Sequence, residues 1–429
     1  MTRPYIADTP PKAEPSWIEK LGPGLITGAA DDDPSGIATY SQAGAQFGFN
    51  TLWTLFFTYP LMVAIQVVSA KIGRVTGRGL ATNVRRHYPG WLLYGIVSLL
   101  LIANTINIAA DLAAMGDALK LLIGGPVHLY ALGFGLVSLL LQIFVPYQRY
   151  VRVLKWLTLA LLAYVATVFS VHIPWMQVVR STALPHLSMK PEYITTVVAI
   201  FGTTISPYLF FWQASQEVEE MRAKPEALPL KDAASQASSS FRRIRTDTLI
   251  GIGFSNIVAF FIMLTTAVTL SLHGITEIQT SAQAAAALRP IAGEFAFLIF
   301  SGGIVGTGLL AVPVLAGSAA YALSGAFHWQ NSLEYKPEEA KGFYGIIAVA
   351  TLLGIGLCFA PVDPIKALYW SAVINGVISV PIMAVMMLMA ARSDVMGKFV
   401  ISPRLKVLGW GCTGIMALAV TAMLVTLKS

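Results

Sequence analysis

Three consecutive carboxylates, a proline and a glycine interrupt an apolar segment near the start of the chain, in the stretch Ala29-Ala30-Asp31-Asp32-Asp33-Pro34-Ser35-Gly36. An ionisable residue inside a membrane span is costly and by default marks a functional site. Pro34 removes a backbone donor, and Gly36 permits conformations that other residues resist. The stretch therefore predicts a helix broken in mid-membrane, with free carbonyls and a carboxylate that bind a cation, as in many secondary transporters.

A second stretch of this kind, Gly202-Thr203-Thr204-Ile205-Ser206-Pro207-Tyr208, lies in a later apolar segment. Ser206 precedes Pro207 as Asp33 precedes Pro34, and a residue before proline is pushed away from helical geometry. Each proline suits the first position of a new half-helix, capped by the preceding Asp or Ser. A lone proline often only kinks a helix. Two breaks in the first and sixth spans, however, match a five-plus-five inverted repeat with one discontinuous helix opening each half.

Composition places the chain among helical membrane proteins. Of its 429 residues, 55% are hydrophobic and 12% are charged, and the mean hydropathy is +0.67. These values are typical of an all-α polytopic membrane protein, and hydropathy predicts eleven spans. We expect a disordered tail over 1–20 and a single transmembrane domain over 21–429. The first repeat covers about 21–175, the second about 190–392, and an extra helix about 404–428.

The basic residues predict the orientation. If the N-terminus is cytoplasmic, the inside segments hold all but six of the 29 Lys and Arg residues. The exceptions are Lys120, Arg180, Lys190, Arg289, Lys366 and Lys428. The positive-inside rule therefore predicts a cytoplasmic N-terminus and an external C-terminus, and we expect a bacterial inner membrane protein. Because the charges are spread over short loops, no nucleic-acid partner is expected, and no obligate protein partner is evident.

Further motifs carry a family resemblance. They are Gly22-Pro23-Gly24-Leu25, Asp33-Pro34, Ala43-Gly44-Ala45-Gln46-Phe47-Gly48, Gln66, Ala70, Gly73 and Val75-Thr76-Gly77-Arg78. In this order they resemble the Nramp family of divalent-metal transporters, over nearly the whole chain. The resemblance implies a LeuT-like fold in which the unwound parts of helices 1 and 6 hold the metal.

Both breaks depart from the family motifs. The family's Asp-Pro-Gly-Asn of helix 1 reads Asp33-Pro34-Ser35-Gly36, so an amide ligand is lost at Gly36. In helix 6, Thr203 and Ser206 replace alanine and methionine. A thioether favours soft metals, whereas hydroxyls and carboxylates favour hard ones. The candidate metal ligands, through side chains or freed carbonyls, are Asp33, Ala30, Gly36, Thr203 and Ser206.

Four more residues are candidates to support those ligands or to hold water on the ion: Asp31, Asp32, Tyr208 and Asn375. Asp31 and Asp32 have a second interpretation, in which they pair with basic residues or cap the half-helix. The smaller groups at positions 36 and 206 make room for water, and Mg²⁺ usually keeps several waters. The site therefore predicts hydrated Mg²⁺, with Mn²⁺ also carried, and resembles the divergent Nramp-related magnesium transporters.

Proton coupling is not expected. The family's titratable residues of helices 3 and 6 fall at Ala114, Tyr208 and Gln213, which do not take up protons near neutral pH. Asp111 remains as a candidate for a proton or ion path, or as a structural hydrogen-bonding residue. We therefore predict transport of the divalent ion down its gradient and the membrane potential, with no cofactor other than the transported ion.

Two other functions stay open. The first is a proton-coupled Mn²⁺ or Fe²⁺ symporter that uses Asp111 in place of the missing histidine. The second is a membrane sensor that binds metal without moving it. An enzyme is not expected, because the sequence has no nucleophile–base pair and no metalloprotease motif.

Overall fold

The computed structural model describes Gly28, residues 31–145 and residues 157–427. The predicted tail over 1–20 and the candidate ligand Ala30 lie outside the described residues. Within them the regular structure is helical, and no strand occurs.

The α-helices are numbered in chain order. They are α1 (Pro34–Phe47), α2 (Leu52–Thr76), α3 (Leu80–His87), α4 (Gly90–Ile123), α5 (Val127–Phe144), α6 (Leu162–Ser170), α7 (Trp175–Ala183), α8 (Pro191–Thr204), α9 (Pro207–Arg222), α10 (Ala237–Thr269), α11 (Ser281–Ala286), α12 (Arg289–Ala292), α13 (Ala296–Phe327), α14 (Lys341–Leu357), α15 (Pro364–Ala390), α16 (Ser393–Met396) and α17 (Pro403–Thr426).

The prediction of eleven spans is confirmed. Helix α1 is the second half of the first span, and α8 with α9 forms the two halves of the sixth. The other spans are α2, α4, α5, α6, α10, α13, α14, α15 and α17. Most are long and apolar enough to cross a bilayer, while the regions 159–170 and 341–357 are shorter apolar helices.

Proline and the residue before it set both breaks. Asp33 has φ −71° and ψ 169°, and Pro34 opens α1. Ser206 has φ −77° and ψ 133°, and Pro207 opens α9. Extended backbone at the residue before proline avoids a clash with the proline ring, so each helix restarts at the proline.

Each half-helix that follows a break packs against a helix of the other repeat. Helix α1 packs against α10, the second span of the second repeat, and α9 packs against α2, the second span of the first. Glycines allow this close approach: a Cβ at Gly44 would strike the Met263 carbonyl, and one at Gly73 would strike the Ala214 carbonyl. The pseudo-symmetric contacts agree with the inverted repeat, and the two breaks meet where Tyr208 contacts Asp33.

The segment from Glu220 to Thr246 is polar and serine-rich, which predicts a surface loop, and this prediction is wrong for about half of it. Helix α9 continues to Arg222, and α10 begins at Ala237. The physical reason is an ion-pair cluster that extends both helices beyond their apolar parts. The Arg243 guanidinium lies 2.5 Å from Glu217, 2.8 Å from Glu220 and 3.2 Å from Asp247.

We expect Arg243→Gln to lower the thermal unfolding midpoint of the purified protein strongly. The change leaves the Glu217 carboxylate, which is 1% exposed, without its ion-pair partner. Breaking a buried ion pair from one side costs roughly 3–5 kcal/mol. Lys224→Gln is the matched control, since it breaks a more exposed pair with Glu220 and is expected to cost about 0–1 kcal/mol. Equal shifts for the two variants would contradict the structural role of Arg243.

Candidate metal centre

The Asp33 carboxylate joins three elements at the first break. Its Oδ1 accepts hydrogen bonds from the Ser35 hydroxyl at 2.6 Å and the Gly36 amide at 2.8 Å. Its Oδ2 accepts from Asn107 Nδ2 of α4 at 3.2 Å and from the Tyr208 hydroxyl of α9 at 3.3 Å. The Gly36 contact caps α1 as predicted for an N-cap aspartate. These bonds fix the carboxylate between the two breaks, with Asp33 only 1% exposed.

Thr203 lies directly across from Gly36. A Cβ at Gly36 would lie 3.1 Å from the Thr203 hydroxyl oxygen and 3.5 Å from the Asp31 carbonyl oxygen. The Thr203 hydroxyl therefore occupies the space that a longer side chain at position 36 would enter. The departures from the family motifs at Gly36 and Thr203 are therefore sterically linked. Together they place a hydroxyl beside the end of α1 that carries Asp33.

Ser206 does not cap α9 through its side chain, so that expectation is wrong. Its hydroxyl instead turns back to the carbonyl oxygens of Gly202 and Thr203, both at 2.8 Å. These carbonyls end α8 and lack helical partners, so the hydroxyl satisfies one of them. The Thr203 carbonyl, expected to be free, is therefore in contact with Ser206. Because the hydroxyl donates in both contacts, they do not use the lone pairs of the Ser206 oxygen.

Asp31 and Asp32 share one donor on α10. The Ser255 hydroxyl lies 2.6 Å from Asp31 Oδ2 and 2.9 Å from Asp32 Oδ1. Neither carboxylate pairs with a basic side chain among the described residues, and Asp33 rather than either of them caps α1. Capping of α1 by these two aspartates is therefore not observed, and pairing with a basic residue stays a prediction.

Two further polar groups lie in the same region of the interior. Asp111 is fully buried on α4, one turn after Asn107, and neither carboxylate oxygen has a hydrogen-bond partner among the described residues. Asn375 on α15 is 1% exposed, and both of its amide atoms lack a partner in the same part of the chain. Buried polar groups normally have partners, so these atoms fit an interior that also takes up water or ions.

Sequence reasoning missed Asn107, Ser35 and Ser255. The sequence did contain a signal for Asn107, because a polar amide in an apolar span, one helical turn before Asp111, indicates a polar face on that helix. Ser35 belongs to the first motif, but its role needed the geometry of the turn. Ser255 had no local signal, since only the packing of α10 on the first break brings it to the aspartates.

The donor set around the breaks is rich in oxygen. In the regions 31–145 and 157–427, no three Asp, Glu, His or Cys side chains converge on one point. The oxygen groups at the two breaks are the Asp33 carboxylate, the hydroxyls of Thr203 and Ser206, and the carbonyls that end α8. Such a set suits a hard cation better than a soft one.

A cavity of about 410 Å³ opens at the end of α1 and the starts of α8 and α15. Ile278 and Ile365 line both this cavity and a much smaller one of about 10 Å³, which Ile37 also lines. The Gln42 side chain holds the segment that carries Ile278: its Oε1 accepts from the Ile278 amide at 2.9 Å, and its Nε2 donates to the Thr276 carbonyl at 3.3 Å. The site is closed on this side.

The eleven spans, the two breaks and the swapped half-helices define the LeuT-like class of membrane protein fold. A manganese transporter of Eremococcus coleocola superposes with a TM-score of 0.75 at 17% identity, covering 96% of this chain and 89% of the other. MhsT, solved in complex with L-phenylalanine, superposes with a TM-score of 0.64 at 11% identity, covering 94% and 98%. At these identities the likeness shows the fold.

Sequence comparison gives the family. The Nramp family profile, "Natural resistance-associated macrophage protein-like", matches residues 24–426, and the chain belongs to this family. It is an integral multi-pass membrane protein. The chain is 27% identical to the divalent metal cation transporter MntH of Yersinia enterocolitica, over 74% of this chain and 76% of that protein. It is 24% identical to MntH of Klebsiella pneumoniae, over 91% and 90%.

Proposed function

We propose that the protein carries divalent metal cations across the bacterial inner membrane by alternating access, with hydrated Mg²⁺ as its preferred substrate and Mn²⁺ as a second one. Family membership supports divalent metal transport. The preference for Mg²⁺ rests on one observation: at the second break, where the family has a thioether, the Ser206 hydroxyl lies beside the Gly202 and Thr203 carbonyls. Within the Nramp family, this donor set favours the magnesium-transporting branch.

The residues around Asp33 also support transport that is not coupled to protons. Tyr208 contacts Asp33 where a titratable histidine is expected from the family. A divalent ion moving toward the negative side gains about 4.6 kcal/mol per 100 mV, because it carries two charges. The ion gradient and the membrane potential are therefore sufficient driving forces. We place the N-terminus in the cytoplasm, on the side of the basic loops.

The test is uptake of Mg²⁺, Mn²⁺ and Ca²⁺ into proteoliposomes at a fixed membrane potential, with internal pH recorded in the same vesicles. We expect Mg²⁺ uptake that is competed by Mn²⁺, without internal acidification. Binding without uptake would instead identify a metal-binding membrane sensor. Mg²⁺ that neither enters nor competes with Mn²⁺ would overturn the proposed substrate.

One alternative has specific support. The Asp111 carboxylate is buried near Asp33 and has no hydrogen-bond partner in the described part of the chain, and a proton-coupled Mn²⁺ or Fe²⁺ symporter would need such a group. Acidification that accompanies Mn²⁺ uptake and disappears in Asp111→Asn would favour this mechanism over the uncoupled one.

We expect Ser206→Met to shift the preference from Mg²⁺ toward Mn²⁺ and Cd²⁺ by about tenfold. The thioether is a soft ligand, and its length displaces water from the ion. Ser206→Ala is the control, because it removes the hydroxyl without adding sulfur. Competition of each metal against Mn²⁺ uptake measures the shift. An unchanged order of metals in Ser206→Met would argue against a ligand role for this position.

A further inference from the structure

A separate cavity of about 200 Å³ lies on the face that carries the basic loops. The start of α3, the end of α9 and the end of α13 form its walls. We call it the basic pocket and define it by Arg78, Gly79, Arg86, Arg222 and Ser324. It is distinct from the metal centre, since none of the residues near Asp33 lines it.

Two of the three arginines are not neutralised. Among the described residues, neither Arg78 nor Arg86 has a carboxylate within ion-pair distance. Partial burial and the charge of Arg86 lower the pKa of Arg78. Like charges held together in this way are stabilised by an anion.

The carboxylate in the pocket is already engaged. Glu219 accepts hydrogen bonds from the Tyr321 hydroxyl at 3.0 Å and from the Ser332 hydroxyl at 2.6 Å. It lies 3.8 Å from Arg222, which also donates to the Asn331 carbonyl at 2.8 Å. Glu219 therefore offsets Arg222 and leaves the positive charge of the other two arginines in excess.

The loop that presents Arg78 is held rigidly. Gly77 ends α2 with φ +66°, a conformation that favours glycine. Asn83 Nδ2 lies 2.9 Å from both the Thr76 hydroxyl and the Arg78 carbonyl, and 3.0 Å from the Gly79 carbonyl. Helix α3 then begins without a side-chain cap, next to Gly79, which lines the pocket. The amides of its first turn have no acceptor inside the helix.

Ser324 supplies an independent sign of a ligand. Its side chain is fully buried on α13 and lines the basic pocket, and its hydroxyl has no hydrogen-bond partner in 31–145 or 157–427. A buried serine on a helix can usually bond to a carbonyl of the preceding turn, and an unpartnered buried hydroxyl costs about 1–3 kcal/mol. A ligand with acceptor oxygens would satisfy it.

We infer that the basic pocket binds a phosphorylated anion, with the phosphoryl oxygens on Arg78, Arg86 and the Ser324 hydroxyl. Two unpaired guanidinium groups, uncapped helix amides and a buried hydroxyl are the donors that phosphate recognition uses. A basic pocket repels a divalent cation, so it does not serve as the ion exit. The phosphoryl group belongs either to a soluble polyphosphate compound or to a lipid headgroup. A ligand there would join α3, α9 and α13.

The test uses the full-length protein in phosphatidylcholine nanodiscs without divalent metal. Calorimetry with tripolyphosphate measures the soluble source, and the thermal midpoint after adding phosphatidylglycerol measures the lipid source. We expect binding in at least one arm, weakened about tenfold or more by Arg86→Gln and by Ser324→Ala, as a lost hydrogen bond to a charged group implies. Arg245→Gln is the control, since Arg245 is an exposed basic residue of α10 outside the pocket.

The possible outcomes distinguish a soluble ligand, a lipid headgroup and the absence of a specific site. Tripolyphosphate binding that both pocket variants weaken supports a soluble ligand, and a lipid-induced shift that they remove supports a headgroup. Absence of both effects overturns the inference. Equal weakening by Arg245→Gln also overturns it, because the effect would then come from the general charge of this face. Neither result depends on the transported ion. Failure of this inference would therefore leave the proposed transport function untouched, and the reverse also holds.

Discussion

Asp33→Ala is expected to abolish Mg²⁺ and Mn²⁺ uptake while the protein remains folded. Asp33 supplies the negative charge between the two breaks, and it is only 1% exposed. Removing one partner of a buried charge pair costs about 2–5 kcal/mol, which is about 30-fold or more in ion affinity. Uptake into proteoliposomes measures the loss, and size-exclusion chromatography with thermal unfolding verifies the fold.

Ser35→Ala is the matched control for this position. It removes the 2.6 Å hydrogen bond to Asp33 Oδ1 but keeps the carboxylate and its contacts with Gly36, Asn107 and Tyr208. We expect only a several-fold loss of uptake, since a hydrogen bond to a charged group contributes about 1.5–3 kcal/mol and the carboxylate keeps other donors. Near-normal uptake by Asp33→Ala would show that the ion binds elsewhere.

Gly202→Ala is expected to disrupt the interface between α8 and α15. A Cβ at this position would strike the Ala372 carbonyl and crowd the backbone of Gly376, and a helix backbone cannot move aside as a side chain can. Overpacking of this kind costs about 1–3 kcal/mol or more. Because α8 also carries Thr203, we expect a lower thermal midpoint together with reduced uptake.

Gly345→Ala is the corresponding control on α14. A Cβ there meets nothing within 4 Å, and the position is exposed. Alanine is a better helix former than glycine by about 0.5–1 kcal/mol, so its midpoint should stay the same or rise. A Gly202→Ala protein as stable as Gly345→Ala would mean that α8 and α15 lie farther apart than described.

The fold was largely predictable from the sequence. Each break combines a proline with a short polar residue before it, and these local effects do not depend on distant packing. The spans follow from the length of the apolar segments. The segment after α9 was predicted poorly, because the cluster around Arg243 makes a polar sequence helical through contacts between residues far apart in the chain.

The candidate site was predictable only in part. Asp33 and Tyr208 stand in motifs, and the structure brings them together across the two breaks. The direction of the Ser206 hydroxyl was not predictable, because it depends on which carbonyls the end of α8 leaves free. Ser255 reaches the aspartates through helix packing alone, which no local pattern encodes.

The hydrogen bond from the Ile278 amide to Gln42 makes hydrogen exchange at Ile278 a measure of opening on the closed side of the site. An amide that is held in this way exchanges its hydrogen with water only when the segment lifts away from α1. Deuterium uptake at Ile278 therefore measures how often this segment opens, without any introduced probe. Its rate in the presence and absence of a divalent ion would show how tightly ion occupancy and closure are coupled.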